Sequence, residues 1–178
     1  MARTTRTYSR VTEATLMIDK LIEKHPDAFW AVQSKFIAVM GIDNVERSEK
    51  AVAKQPIWSK MRNVKGVEQA IFQENKITER YIVEVFWSDW HLWNEATKAA
   101  VIAKHLFEIT PEVEVKNSPD CVGFKILYDV LGVNWERSSN VPNLITGDVK
   151  FDLDLRPGLS ELESLEEEDG PEDPEANI

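Results

Sequence analysis

Apolar residues along the chain follow helical spacing in two long segments and crowd together in a short segment between them. In residues 12–25 they recur every three or four positions and Pro26 follows, which predicts an amphipathic helix with Thr12 as its N-cap. Residues 81–87 are aromatic or branched and apolar apart from one glutamate, which is typical of a strand covered on both faces. In residues 94–111, Asn94 as N-cap and a long surface of alanine and larger apolar side chains predict a buried helix.

Weaker patterns indicate further elements in the first half of the chain. Residues 35–40 are rich in Phe, Ile and Val and precede Gly41, which predicts a strand that ends at this glycine. The aromatic and apolar residues at 29–32 leave a helical extension open as the alternative. Residues 41–55 are polar and predict a loop, and residues 56–64 predict a second strand.

The last third of the chain carries one well-marked helix. Ser118 suits the N-cap, Pro119 suits the first helical position, and Gly132 is placed to end the helix. Residues 134–157 read as irregular chain, with a short strand at residues 149–155 as an option. Together these elements predict an α+β domain with a small sheet of about three strands and about three helices.

The charged residues divide the chain into a neutral first part and an acidic last part. The net charge of −10 comes from residues 148–178, which hold 12 acidic and 2 basic side chains, whereas residues 1–147 hold 19 of each. We therefore expect a flexible arm at residues 1–10, a domain at residues 11–157, and an acidic tail at residues 158–178 that is disordered when free.

Composition also removes several classes of protein. An acidic chain lacks the clustered positive field that direct nucleic-acid or anionic-lipid binding requires. No run of apolar residues is long enough to span a membrane or to form a secretory signal, so we expect a cytoplasmic protein. The single cysteine, Cys121, excludes a framework of internal disulfides.

The order of motifs in residues 81–111 resembles the zincin-like phage metallopeptidase family. In that family a strand leads through a tryptophan-containing loop into an alanine- and leucine-rich helix, which ends in the zinc motif H-E-L-x-H. The resemblance continues through residues 119–124, the helix that stops at Gly132 before Trp135, and the Val-Pro-Asn-Leu segment at residues 141–144, so that it covers roughly residues 10–157. It implies a zincin-like fold, and a phage-encoded protein would act in the host cytoplasm.

The zinc motif itself is degenerate in this chain. In the family, two histidines at i and i+4 share one helical face and bind one zinc ion, while the glutamate between them activates the bound water. Alignment without a gap sets Lys104 and Glu108 at the two ligand positions and His105 at the glutamate. The second ligand cluster of the family falls near Pro119, Val122 and Gly123, none of which binds zinc through its side chain. The resemblance therefore implies no zinc and no catalytic residues.

A rearranged metal site is the open alternative. His105 and Glu108 lie at i and i+3 on one helical face, and His91 precedes the helix, so these three side chains could bind zinc. Glu95 or Asp89 would then act as the base.

Other chemically capable residues have structural explanations that we favour. The three tryptophans at 87, 90 and 93 fit the edge of a core better than a ligand groove. Cys121 fits a small packed residue, and the arginines at 3, 6 and 10 fit a solvated terminus.

The acidic tail contains a second candidate binding feature. Leu159, Leu162 and Leu165 recur every three residues among glutamates, including Glu166, Glu167 and Glu168. A helix formed on contact would present the leucines along one face and would suit a partner groove with a basic rim. The alternative, which the composition slightly favours, is a solvated acidic tail that keeps the protein soluble.

Three functions follow from these observations. The first is a catalytically degenerate metallopeptidase-like protein that binds a host or phage protein through its surface or its tail. The second is a divergent metal-dependent peptidase that uses the rearranged site. The third is an acidic decoy that occupies the basic channel of a host nucleic-acid-binding enzyme, which would depend on the tail alone.

Overall fold

The structure, a computed structural model, describes residues 5–45, 47–109 and 124–155. It confirms the α+β class, with a four-stranded mixed sheet and six helices within these ranges. In chain order the elements are β1 (Thr7–Arg10), α1 (Thr12–Lys24), β2 (Ile37–Asp43), α2 (Glu49–Lys54), β3 (Ser59–Asn63), α3 (Val67–Glu74), β4 (Tyr81–Phe86), α4 (Trp87–Leu92), α5 (Glu95–Phe107) and α6 (Lys125–Leu131).

The sheet has the strand order β1-β2-β4-β3. The two central strands β2 and β4 run parallel, and each edge strand pairs antiparallel with its central neighbour. Because side chains alternate along a strand, each central strand sends one set of residues to each face of the sheet. Val39, Val83 and Val85 join the core on one face, whereas Ala38 and Ile82 belong to the other, which we call the outer face.

The core lies between the sheet and the helices α1, α5 and α6. Helix α5 is the most buried element, with nine of its 13 residues buried, as the small-and-apolar pattern predicts. The Asn94 side chain accepts a hydrogen bond from the Thr97 amide at 2.8 Å, which confirms the predicted N-cap. Helix α1 also agrees with the prediction, except that Val11 occupies the N-cap position and Thr12 is the first helical residue.

The prediction that the first strand ends at Gly41 was wrong. Residues Ser34–Phe36 form a short 3₁₀ turn, and β2 continues through Gly41 to Asp43. A Cβ atom at Gly41 would lie 2.1 Å from the Trp87 ring, so the glycine makes room for this ring inside the strand. The glycine therefore marks a close approach of two elements instead of a strand end.

Two helices interrupt segments where the sequence predicted loop or gave no helical signal. Helix α2 lies within the predicted loop at residues 41–55, and the Ser48 hydroxyl accepts from the Ala51 amide at 3.3 Å at its start. Helix α3 joins β3 to β4. Both helices are short and neither has a buried residue, so the sequence gives only a weak signal for them.

The ends of the chain also differ from the prediction. Residues Thr7–Arg10, placed in a flexible arm, form the edge strand β1, and all four are exposed. Phe124 has an extended backbone and α6 begins at Lys125, so the last helix does not run unbroken from the predicted caps at Ser118 and Pro119, which lie outside the described residues.

The optional strand at residues 149–155 does not form. This stretch contains irregular chain and a 3₁₀ turn at Leu153–Leu155, and it packs Val149, Phe151 and Leu155 against the core. None of the helices in the described ranges combines the length and apolar character that crossing a membrane requires.

Candidate functional site

His105 lies at the centre of the position where the family resemblance places a zinc motif. Its side chain is 2% exposed, and both ring nitrogens have protein partners. Nδ1 lies 2.9 Å from Glu108 Oε1, and Nε2 lies 2.8 Å from Ser59 Oγ on β3. A carboxylate accepts, so Nδ1–H donates to Glu108, and Nε2 and the Ser59 hydroxyl form the second hydrogen bond. His105 thus joins the end of α5 to the edge strand.

This chain of hydrogen bonds has the order serine, histidine, carboxylate, which also occurs in hydrolytic triads. The relative burial of the imidazole and the carboxylate is the reverse of that in a triad, however. A triad buries its carboxylate and lets the imidazole reach the leaving group, whereas here the imidazole is 2% exposed and the Glu108 side chain is 19% exposed. The arrangement therefore fits a buried polar link between two elements better than a nucleophile with its base.

The structure brings together only two of the three degenerate motif residues. His105 and Glu108 are hydrogen-bonded, whereas the Lys104 ammonium lies 3.6 Å from the Glu136 carboxylate. Ser59, the third member of the polar link, was missed by sequence reasoning because a serine at the start of a strand carries no signal that it meets a helix 46 positions away.

The rearranged metal site is not assembled in the described part of the chain. His91 lies on α4 with its ring 4.7 Å from the Trp87 ring, and no three His, Cys, Asp or Glu side chains in these ranges are placed to hold a metal ion. Of the two suggested bases, Asp89 accepts from Arg47 at 2.6 Å, and Glu95 is exposed in the first turn of α5. Cys121, Pro119, Val122 and Gly123 lie outside the described residues.

The three tryptophans close the edge of the core, as the structural interpretation predicted. Trp90 is fully buried, and Trp87 and Trp93 pack partly buried against the core. The Trp90 indole donates to Glu13 Oε1 at 2.5 Å, and the Lys98 ammonium reaches the same oxygen at 2.9 Å. These two hydrogen bonds, Lys98 first, lower the pKa of Glu13, so this carboxylate is held ionised as a fixed connection between α1 and α5.

The outer face of the sheet holds a groove of about 790 Å³, which we call the outer groove. Its floor is made by apolar side chains of the two central strands, and helix α3 with the loop that follows it forms one wall. The residues that give it an apolar surface are Tyr8, Ala38, Met40, Phe72, Ile77 and Ile82. Sequence reasoning did not find the outer groove, because β1 and α3, which bound it, were both missing from the prediction.

Ion pairs hold the walls of the outer groove. Arg62 donates to both oxygens of Glu68 on α3, at 2.6 and 3.0 Å, and to Glu84 on β4 at 2.9 Å. These carboxylates raise the pKa of the Arg62 guanidinium, and Arg62 in turn lowers the pKa of Glu68. Arg10 of β1 pairs with Glu79 at 2.6 Å. Both carboxylates that line the outer groove are therefore already engaged by arginines.

Lys35 and Arg80 lie just before β2 and β4, in loops joined through Thr78, which lines the outer groove. The Thr78 hydroxyl donates to the Lys35 carbonyl at 3.1 Å, and the Arg80 amide donates to the Phe36 carbonyl at 2.7 Å, so the two loops meet here. The Lys35 and Arg80 cations lie 4.9 and 4.4 Å from the centroid of the Phe36 ring. Of the three cations Lys35, Lys76 and Arg80, Lys76 alone lines the outer groove.

The predicted binding residues of the tail, Leu159, Leu162, Leu165, Glu166, Glu167 and Glu168, lie outside the described residues. Comparison of the chain with protein-family models, with curated proteins and with solved structures finds no match.

Proposed function

We propose that this protein is a catalytically inactive relative of the phage metallopeptidases that acts by binding a host or phage protein in the host cytoplasm. The observation that carries the proposal is the use of His105, whose two ring nitrogens both bond inside the protein. The family is proposed from the resemblance, and the polar link through His105 supports an inactive site because both ring nitrogens already have partners.

Zinc binding is unfavourable at this position. Binding through either nitrogen of His105 would break a hydrogen bond to Glu108 or to Ser59, and the hydroxyl or carboxylate left behind would lose its partner. Lys104, which stands where the family has a ligand histidine, adds a positive charge beside the ion. Both effects weaken metal affinity, and they support a role in binding over a role in catalysis.

The tail is the segment that we propose binds the partner. Three leucines at intervals of three residues, set among glutamates, suit an apolar groove with a basic rim on another protein. Ordering such a segment costs about 2–5 kcal/mol, whereas burying each leucine contributes about 1.5–3 kcal/mol. Association also costs about 4 kcal/mol or more in lost translational and rotational freedom, so we expect binding by the tail alone to be weak or to need help from the domain.

Metal analysis of the purified full-length protein tests the loss of catalysis. We expect zinc far below one equivalent at neutral pH after zinc is offered and excess is removed, and the same content in His105→Ala. Because this substitution disturbs the core, His105→Gln serves as a second variant, and circular dichroism checks that each is folded. One equivalent of zinc that disappears in both folded variants would overturn the proposal.

Binding by the tail is tested separately with full-length protein and host extract. Substitution of Leu159, Leu162 and Leu165 by serine should remove partners that the unaltered chain retains. The matched control replaces Ala176 and Ile178 by serine, which removes apolar groups from the same tail outside the leucine pattern. Equal recovery of partners with all three proteins would exclude the leucines as the binding element.

A further inference from the structure

We propose that the outer groove binds a small molecule that has an apolar body and a single carboxylate. The groove lies on the face of the sheet opposite α5, and none of the residues that line it belongs to the polar link through His105. Binding at this site is therefore independent of the partner-binding function proposed above, and either can fail without the other.

The floor of the outer groove is apolar and deep. Ala38 of β2 and Ile82 of β4 are 6% and 5% exposed. Helix α3, which forms one wall, has no buried residue, so its own side chains do not fill the groove. The space of about 790 Å³ falls within the range of about 300–1,000 Å³ that is usual for small-molecule sites, which are lined mainly by apolar and aromatic side chains.

The width of the outer groove favours a small molecule over a partner helix. Neighbouring strands are about 4.8 Å apart, so the edge strands β1 and β3 of this four-stranded sheet are on the order of 14 Å apart. Helix α3 takes up part of this width, and a second helix of about 10–12 Å diameter would not fit beside it. On the side of β1, Arg10 pairs with Glu79 in the loop that enters β4, which narrows the groove further.

Lys76 is the reason for placing a carboxylate on the ligand. The other charged side chains that line the groove are two arginines and two glutamates, and each glutamate is already paired with an arginine. Lys76 forms no ion pair with a carboxylate of the described residues. An anionic group therefore finds one unpaired cation, whereas a cationic ligand would have to compete with an arginine for either glutamate.

The backbone of Lys76 is a second observation that points to a use for this side chain. Its φ is 57°, in the left-handed region, and it directly follows Asn75 at the end of α3. Glycine is favoured at this position because a Cβ atom is strained there. Strained residues other than glycine cluster at functional sites, so a lysine that lines an apolar groove from this position agrees with a role in binding.

Titration of the full-length protein with sodium decanoate, kept below the concentration at which it forms micelles, tests the site through amide chemical shifts. We expect saturable shifts at Ile77, Thr78 and Ile82, and no change on the exposed side of α1. Decanol has the same chain without the charge and should bind about two- to fivefold more weakly, as expected for the loss of one partly solvated ion pair. Acetate carries the charge without the chain and should produce no saturable shift.

Substitutions separate the charge from the apolar surface. In Lys76→Gln, decanoate and decanol should bind with equal affinity, whereas Lys20→Gln on the exposed side of α1 should keep the preference. Lys76→Gly should give the same result as Lys76→Gln, and its folding is secure because glycine tolerates the left-handed backbone. Ile77→Ser should weaken both probes, whereas Leu16→Ser on α1, where the side chain is 64% exposed, should weaken neither.

Several results would overturn the assignment of this site. They are an absence of saturable shifts, equal binding of decanoate and decanol to the unaltered protein, and equal effects of the glutamine substitutions at Lys20 and Lys76. Groove resonances that move with protein concentration before any probe is added would assign the groove to a second copy instead. Groove resonances that move when residues 159–178 are deleted would assign it to the tail.

Discussion

Helices α5 and α3 lie against opposite faces of the same sheet, and they are packed in contrasting ways. Nine of the 13 residues of α5 are buried, whereas α3 has eight residues and none of them is buried. On α3, Val67 is 78% and Ile71 is 50% exposed. One face of the sheet is therefore closed by its helix, and the other is left open as the outer groove.

The contrast follows from the side chains that meet the sheet. Helix α5 presents Ala99, Ala100 and Ala103, all fully buried, and small residues let a helix approach a sheet closely enough to exclude water. Helix α3 is held instead by the ion pairs of Arg62, whose side chain remains 34% exposed. Polar attachments at a partly solvated site stabilise weakly, so we expect α5 to carry the stability of the fold and α3 to be free to adapt.

The largest test of this comparison truncates one apolar side chain on each helix. Leu106→Ala on α5 should lower the free energy of unfolding by about 2–5 kcal/mol, because the buried side chain leaves a cavity. Ile71→Ala on α3 should change it by less than about 1 kcal/mol, since half of the side chain already faces water. Urea unfolding of both variants measures the difference. Equal losses would mean that α3 belongs to the core.

The second test removes the polar link at the end of α5. His105→Ala should lower the free energy of unfolding by about 2–4 kcal/mol, because Ser59 and Glu108 lose their partner and a buried volume is emptied. Ser59→Ala removes one hydrogen bond and should lower it by about 1 kcal/mol. If His105→Ala is instead neutral, the imidazole is not a structural link and its burial needs another explanation.

How much of this was predictable from the sequence depends on burial. The strand β4 and the helix α5 were predicted correctly because most of their residues are buried, so their apolar pattern is clear in the sequence. The edge strand β1 and the helices α2 and α3 were missed because their residues face water on most sides. Strand β1 is positioned by its pairing with β2, and helix α3 is positioned by the connection between β3 and β4.

The candidate site likewise contains one contact that the sequence predicts and others that depend on the tertiary fold. His105 and Glu108 are neighbours on one helical turn, so their meeting follows from spacing alone. Ser59 reaches them only because β3 pairs with β4 and lies beside α5. No local sequence pattern predicts this tertiary contact. The outer groove is lined by five separate segments, and a prediction that lacks two of them cannot place it.

The third test uses pH on the closed side of the sheet. His25 is 8% exposed, its Nε2–H donates to the Leu144 carbonyl at 2.8 Å, and burial lowers its pKa more than this hydrogen bond raises it. With a folded pKa below the ordinary value of 6.5, the folded state binds fewer protons than the unfolded state as pH falls below 6.5. The free energy of unfolding should therefore decrease in that range until the folded pKa is passed.

The variant His25→Gln isolates this effect from the other titrating groups. Glutamine does not titrate, so the difference in stability between the unaltered protein and this variant should narrow as pH falls from 7.5 to 5. Urea unfolding at several pH values measures it. A difference that stays constant with pH would show that His25 does not supply the slope.

The smallest effect is expected at the ion pair that holds α3. Arg62 lowers the pKa of Glu68, yet both side chains are about one third exposed, so Glu68→Gln should change global stability by less than about 1 kcal/mol. The substitution should instead act locally and speed amide exchange in α3 by about two- to fivefold while α5 is unchanged. Glu74→Gln makes the same charge change on α3 without breaking an ion pair, and it should not speed exchange because it removes a negative charge from a helix C-terminus. Faster exchange in α5 as well would mean that the two faces of the sheet open together, and the open groove would then be coupled to the core.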